Sequence, residues 1–344
     1  MKAILAAVAA AATIATAAAS WAETVTMKYS SWLPDQHHVN QRVMYPWFAE
    51  IEKVTEGRVK VEVLPKMVGT ALSQFDVVRD GLADVSFIVA GYTPGRFPLA
   101  EMAELSFLGN DARIFAPIFN RYYREHMEPL NEFEGVELMT IMSNAPGNVL
   151  TLKKPVRSIE DFKGLKLRST GPYTTALLNA VGAIPILKSS AETFEMLTAG
   201  TIDGSLAQRE TAKNMNMIDL MGHATLVPGG LFSSALAVIV NPSTWAKISA
   251  EDREAINAVS HEALALSMGT SFYIADADSE ETMRATPTLK VETASDAFVA
   301  ELKEVVKPLE ADWAERAKAK GLADPLAVLA AFRAEVTAAE QAAK

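Results

Sequence analysis

Hydrophobic positions along this chain fall into short alternations and longer helical stripes that take turns. Val25–Tyr29 reads as a short strand. Over residues 40–55, Val43, Trp47, Phe48, Ile51 and Val54 share one side of a helix, and Gly57 closes it. Val59, Val61 and Val63 alternate with charged residues as a strand that ends at Pro65. A helix over 70–80 and a strand over 84–89 come next. Strand, helix, strand, helix, strand predicts a layered α/β unit.

A second unit of the same kind begins after Gly147. Leu165 and Leu167 alternate with Lys166 and Arg168 in a strand, 172–181 is a helix, 184–187 a strand, 190–198 a helix and 202–207 a strand. The two units share the spacing Phe75-x5-Gly81-x2-Asp84-x-Ser86, repeated as Phe194-x5-Gly200-x2-Asp203-x-Ser205. In each copy a helix that buries its Phe is expected to stop at a Gly of positive φ and feed a strand. From Ser249 a capping-box start opens a helix expected to persist to about Arg284, long enough to serve as a spine for two lobes. The Ala-, Glu- and Lys-rich tail from Ser295 reads as helical.

The start of the chain changes the compartment. Residues 1–22 carry one charge, Lys2, then an Ala-rich apolar run ending in Ser20-Trp21-Ala22, the pattern of a secretory signal peptide cleaved after Ala22, with Ala19 as the alternative. A membrane anchor is the other reading, but no charged stop-transfer cluster follows the run. The remaining 322 residues hold 31 basic and 42 acidic groups, a net charge of −11. Later, only Leu226–Val240 approaches the apolarity of a membrane span, and Pro228, Gly229 and Gly230 interrupt it. The expected location is the periplasm, with no insertion of the mature chain in the membrane.

Composition then excludes whole classes of chemistry. The 344 residues contain no cysteine, which removes disulfides, thiolate metal sites and a cysteine nucleophile. With 42 acidic residues against 32 basic, a nucleic-acid partner is disfavoured. Phosphate-loop, dinucleotide, nucleophile-elbow and zinc-protease motifs are missing, so no cofactor and no catalytic residue is assigned. His37 and His38 are expected to diverge as sequence neighbours, which leaves no metal site. Arg168 stands out because it ends a strand, where ligands of α/β folds gather. Its planar fork matches a carboxylate better than a lysine would. Ser31, Trp32, Tyr92 and Phe232 follow strands or lie in loops that could wall the same pocket, with His38 at its edge.

The run Ile159-Glu-Asp-Phe-Lys-Gly-Leu-Lys-Leu-Arg168, then Gly182-Ala-Ile-Pro185 and Phe194 to Gly204, resembles the DctP-type substrate-binding proteins of TRAP transporters. Phe48-x5-Val54-Thr55-x-Gly57-Arg58-Val59, the Pro65 region, Gly81-x2-Asp84 and Phe97-Pro98-Leu99 agree with it, so the likeness spans nearly all of the mature chain. It implies two α/β lobes of the periplasmic binding protein fold, with hinge strands and a lobe-spanning helix. Residues 23–145 plus 233–272 would form lobe I, and 146–232 plus 273–344 lobe II with the C-terminal helices. It also implies a small organic anion whose carboxylate is held by Arg168. Relatives often carry a second arginine where Asn148 stands here, which points away from sialic acid and dicarboxylates. The metal-holding residues of keto-acid binders fall at Leu206 and Ala207, so no metal is expected, and Gln208, Arg209 and Glu210 are left to tune specificity.

The implied role is capture by hinge closure and delivery to a permease with small and large membrane subunits, by a monomer that is not an enzyme. A secreted enzyme acting on small organic acids and a sensor partner that hands its ligand on are the alternatives. Among ligands, hydroxy or keto acids, aromatic acids and organosulfonates stay open.

Overall fold

The structure, a computed structural model, describes residues 24–343. The expected signal peptide lies outside them. Eleven strands are described: β1 (Val25–Ser30), β2 (Val59–Val63), β3 (Val85–Val89), β4 (Glu137–Ser143), β5 (Gly147–Thr151), β6 (Lys166–Ser169), β7 (Ile184–Leu187), β8 (Gly204–Gln208), β9 (His223–Leu226), β10 (Ala235–Val240) and β11 (Lys290–Thr293). They make two sheets, ordered β2-β1-β3-β10-β4 and β11-β9-β5-β8-β6-β7.

Each sheet pairs three parallel strands with one strand that arrives from the other half and runs antiparallel. In the first sheet β1, β2 and β3 are parallel and β10 enters against β3. In the second, β6, β7 and β8 are parallel and β5 enters against β8. Every residue of β3, β5, β8 and β10 is buried. Strands covered on both faces read as continuous apolar runs without alternation.

The repeated spacing in the sequence has a mechanical meaning. Asp84 accepts the backbone N–H of Lys28 at 2.7 Å, and its own N–H donates to the Lys28 carbonyl at 2.8 Å. Asp203 makes the same two-way clasp with Lys166, at 2.9 and 2.7 Å. Each aspartate ties the start of its own strand to a neighbouring parallel strand. Gly81 and Gly200 precede these clasps with φ of +73° and +68°, as the turn requires. The expectation that both copies bury their Phe holds only for Phe75, at 4% exposure; Phe194 is 41% exposed.

The chain crosses between the sheets at residues 144–146 and again at 227–234. These crossings lie side by side: the Gly147 N–H donates to the Phe232 carbonyl at 2.7 Å, and the Leu231 N–H to the Gly147 carbonyl at 2.9 Å. The Phe232 ring lies against Gly147, where a Cβ would come within 2.1 Å of it.

The spine runs from Ala250 to Ala285 but not as one helix. It breaks between Ala250–Ala258 and His261–Ala285, where the Ser260 hydroxyl bonds back to the Ile256 carbonyl at 2.7 Å. The second piece packs on helix Ala112–His126 beside the first sheet and on helix Arg209–Asn214 beside the second, so it joins the lobes. The C-terminal helices, expected with lobe II, divide. Asp296–Ala319 packs on helix Pro172–Ala180 of the second lobe, and Pro325–Ala342 on Ala112–His126 of the first. Among the described residues no helix is long and apolar enough to cross a membrane.

The crossing carries a direct expectation. In Gly147→Ala the new methyl meets a rigid, buried ring, so the substitution should cost about 1–3 kcal/mol, the usual penalty for overpacking. Thermal or urea unfolding checks this, and an unchanged midpoint would show that the crossings separate freely.

Candidate ligand-binding site

The carboxyl ends of the parallel strands of both sheets face a common cavity, the place where open α/β sheets receive ligands. From the first lobe come Trp32 and His37, which follow β1, and Tyr92, which follows β3. From the second come Arg168 and Thr170 at the end of β6, Ser190 ahead of helix Thr193–Thr198, and Gln208 and Glu210 at the end of β8. Asn144 and Ser234 reach it from the two crossings, and Phe272 from the spine. About 460 Å³ between protein atoms is free there, part of it open to solvent.

Arg168 is 2% exposed and takes part in no ion pair among the described residues. Its Nε donates to the Lys188 carbonyl at 2.8 Å, and its Nη2 to the Tyr92 hydroxyl at 3.2 Å; a 3.4 Å contact from Nη1 to the Leu206 carbonyl is weaker. Burial pulls its pKa below the ordinary arginine value, opposed by Tyr92 and the distant Glu192. Guanidinium groups do not give up their proton in proteins, so the fork stays charged. A buried cation with only neutral partners is costly to the protein, and an anion relieves that cost.

The Tyr92 hydroxyl also accepts the Ser190 N–H at 2.9 Å, so a residue of the first lobe holds two groups of the second. Aromatic faces surround this point. Trp32 stacks on Phe87 with centroids 6.1 Å apart and meets Tyr92 edge-on at 5.8 Å. The Trp32 indole N–H is spent on the Phe87 carbonyl at 2.8 Å, so the tryptophan offers the cavity an apolar surface.

Several residues expected at the site stand elsewhere. Arg209 turns away to pair with Asp276 and Glu280 on the spine. Asn148 spends its amide on the Pro146 carbonyl and accepts from the Val227 N–H, bracing a crossing. Phe232 packs over Gly147, as described above, and Ser31 bonds to Asn40. His38 lies one layer behind the wall, between Ser271 and Glu210, while His37 lines the cavity in its place. The expected divergence of the histidine pair is overturned: the chain turns sharply after Pro34, and the rings stack with centroids 4.6 Å apart. Their nitrogens and a Glu210 oxygen lie within 4.8 Å of one another.

Asn144, Ser190, Ser234, Phe87 and Phe272 were not found from the sequence. Thr170 follows a recognised strand end and could have been. Asn144 accepts from Gln208 Nε2 at 3.1 Å and from the Ser234 N–H at 2.9 Å, joining a crossing to the cavity wall.

Known proteins agree with this architecture. The family model described as bacterial extracellular solute-binding protein, family 7 (DctP) matches residues 29–316. A TRAP periplasmic solute-binding protein of Bordetella bronchiseptica, solved with bound (R)- and (S)-mandelate, is 37% identical with a TM-score of 0.87, over 91% of this chain and 99% of that one. A marine metagenome TRAP solute-binding protein specific for aromatic acid ligands, solved with 3-hydroxybenzoate, is 26% identical with a TM-score of 0.84, over 92% and 98% of the two chains. The outer membrane transporter protein TsaT of Comamonas testosteroni is 28% identical over 88% of this chain and 90% of its own. With a family model across most of the chain and the two-lobe architecture in common, the protein belongs to the DctP family of TRAP periplasmic solute-binding proteins, the components that capture small organic anions for TRAP transporters.

Proposed function

We propose that the captured anion is an aromatic monocarboxylate, held between the lobes by Arg168 and delivered unchanged to the membrane permease. The buried guanidinium without a protein counter-charge, set among Trp32, Phe87, Tyr92 and Phe272, carries this reading. The fork supplies two parallel donors for a carboxylate, and the rings supply apolar area for the rest of the ligand. A second carboxylate would meet Glu210, the only other full charge among the described residues of the cavity wall, and be repelled. The mandelate bound by the Bordetella relative and the aromatic acids of the marine one support the same class.

Binding proceeds as a hinge closure. With the lobes apart, Arg168 is hydrated; closure strips that water and offers the ligand in exchange. The Tyr92 hydroxyl adds to the closed state because it bonds Arg168 and Ser190 together. A ligand favours closure only by the difference in its contacts between the two forms, and Arg168 with Tyr92 makes that difference large. Export with cleavage after Ala22 completes the reading; the intact mass of periplasmic protein tests it, and retention of residues 1–22 would refute it.

Calorimetry on protein unfolded and refolded to strip co-purified ligand should detect benzoate, phenylacetate or mandelate and leave succinate and sialic acid unbound. Tight binding of a dicarboxylate or sugar acid alone would overturn the aromatic reading, and benzenesulfonate reports whether the fork takes a sulfonate. Arg168→Ala should lose about 2–5 kcal/mol of binding, the range for truncating a buried charged partner. Tyr92→Phe should weaken binding by about 1–3 kcal/mol, because it strands two buried donors; unchanged affinity would remove the hydroxyl from the closure step. Mass spectrometry should recover the acid unaltered, and any product would favour a secreted enzyme instead.

A further inference from the structure

Besides Arg168, the cavity wall carries one other cluster of buried ionisable groups, built from three separate parts of the chain. Ser271 on the spine lies with its hydroxyl 2.8 Å from His38 Nδ1, and His38 Nε2 lies 3.2 Å from a Glu210 oxygen. A carboxylate oxygen can only accept, so the ring hydrogen of His38 belongs on Nε2, and Nδ1 is left to accept the Ser271 O–H. Thr211 donates its hydroxyl to the other Glu210 oxygen at 2.5 Å, and the Asn214 amide reaches Oε2 at 3.3 Å. Burial alone would raise the Glu210 carboxyl, but the hydrogen bond from His38 holds it below the usual range. Glu210 is therefore ionised at neutral pH.

His37 is free of that row. Its Nδ1 accepts the Val39 N–H at 3.2 Å, which leaves the ring hydrogen on Nε2. Burial pushes its pKa down to about 4, so the ring is neutral at neutral pH. Nε2 stands 3.8 Å from Glu210 Oε2, beyond a direct hydrogen bond. No described residue accepts from it. The cavity wall thus presents a neutral donor and an anionic acceptor side by side, with a gap between them.

Few chemical groups satisfy both. A hydroxyl accepts from the imidazole N–H through a lone pair and donates its own hydrogen to the carboxylate. A ketone or a carboxylate has no hydrogen for Glu210, and an ammonium has no lone pair for His37. A metal is disfavoured because the Val39 contact keeps hydrogen on the nitrogen that would have to ligate it. We propose that His37 and Glu210 form a hydroxyl-reading subsite, so that the preferred ligand is a hydroxy-substituted aromatic acid. This rests on the carboxylate reading of Arg168, which lines the same cavity. His38 and Ser271 act as positioning residues, since they reach the ligand only through Glu210.

The test compares acids that differ by one hydroxyl: mandelate and 3-hydroxyphenylacetate against phenylacetate, and 3-hydroxybenzoate against benzoate, with phenylglycine as the ammonium analogue of mandelate. By calorimetry on refolded protein, at least one hydroxy acid should bind about 10- to 100-fold more tightly than its deoxy partner, the range for a hydrogen bond to a charged group. In His37→Phe and in Glu210→Gln that ratio should fall to about threefold or less, as the paired hydrogen bonds are lost. Reading the ratio separates the subsite from general damage, and two variants on different elements guard against one failing to fold. Equal binding within every pair, a ratio that survives both substitutions, or a preference for phenylglycine would overturn the subsite alone. Binding of no acid of either kind would overturn the aromatic-acid reading and the subsite with it. Zinc retained by the wild type and lost in His37→Phe would make the cluster a metal centre and overturn the proposal.

Discussion

A guanidinium held inside a protein with no counter-charge of its own is the constraint around which this molecule is arranged. Removing a full charge from water costs several kcal/mol even after relaxation, and Arg168 recovers part of that from the carbonyl dipole of Lys188 and the hydroxyl of Tyr92. Such neutral partners compensate incompletely, because they carry only partial charges. The residual cost makes the closed cavity favourable with an anion inside. On the proposed reading the same charge supplies both affinity and the gate.

The scaffold keeps this charge in place while allowing the lobes to move. Asp84 and Asp203 clasp neighbouring strands within each sheet, and so stiffen each lobe without joining the two. Relative motion is left to the crossings at 144–146 and 227–234 and to the spine. Those crossings contribute Asn144 and Ser234 to the cavity itself. A rotation there therefore changes the site directly. The spine adds Phe272 to the wall and Ser271 to the row behind it, and its Asp276 takes up Arg209. Arg209 is in this way kept from competing with Arg168 for the ligand.

The parallel halves of both sheets were legible because half-exposed strands such as β2 and amphipathic helices such as the one after residue 40 write their period into the sequence. The crossing strands were not. In β5 and β10 every residue is buried, as in β3 and β8, but no helix-and-glycine junction such as those at Gly81 and Gly200 precedes them to mark where a strand begins. At the site, Arg168 was legible because it ends a recognisable strand, and Tyr92 and Trp32 follow recognisable strands. Arg209 and Phe232 misled for a tertiary reason. Arg209 meets acids 67 and 71 residues away, and Phe232 meets Gly147 across a crossing. The histidine pair misled for a local one, since the divergence of neighbouring side chains assumes that both lie in one regular element, whereas His37 ends a turn and His38 begins a helix.

The acidity of the chain poses the remaining question, since a protein of net charge −10 binds an anion. Distance and dielectric resolve it. Charges in water are screened over about 8 Å at physiological ionic strength, so the many exposed carboxylates act weakly on a ligand enclosed between the lobes. Ion pairs such as Lys213 with Asp278, and Arg79 with Asp80, neutralise several of them locally. At hydrogen-bond distance from Arg168, in a site with little water, the attraction between opposite charges is several times its value in bulk solvent. The overall charge therefore bears on solubility and on the rate of encounter, while the proposed site turns on one internal cation. Glu210 is the exception that sharpens the point: it lies inside the same wall, so on the proposed reading a second negative group would meet it without a screening layer of water.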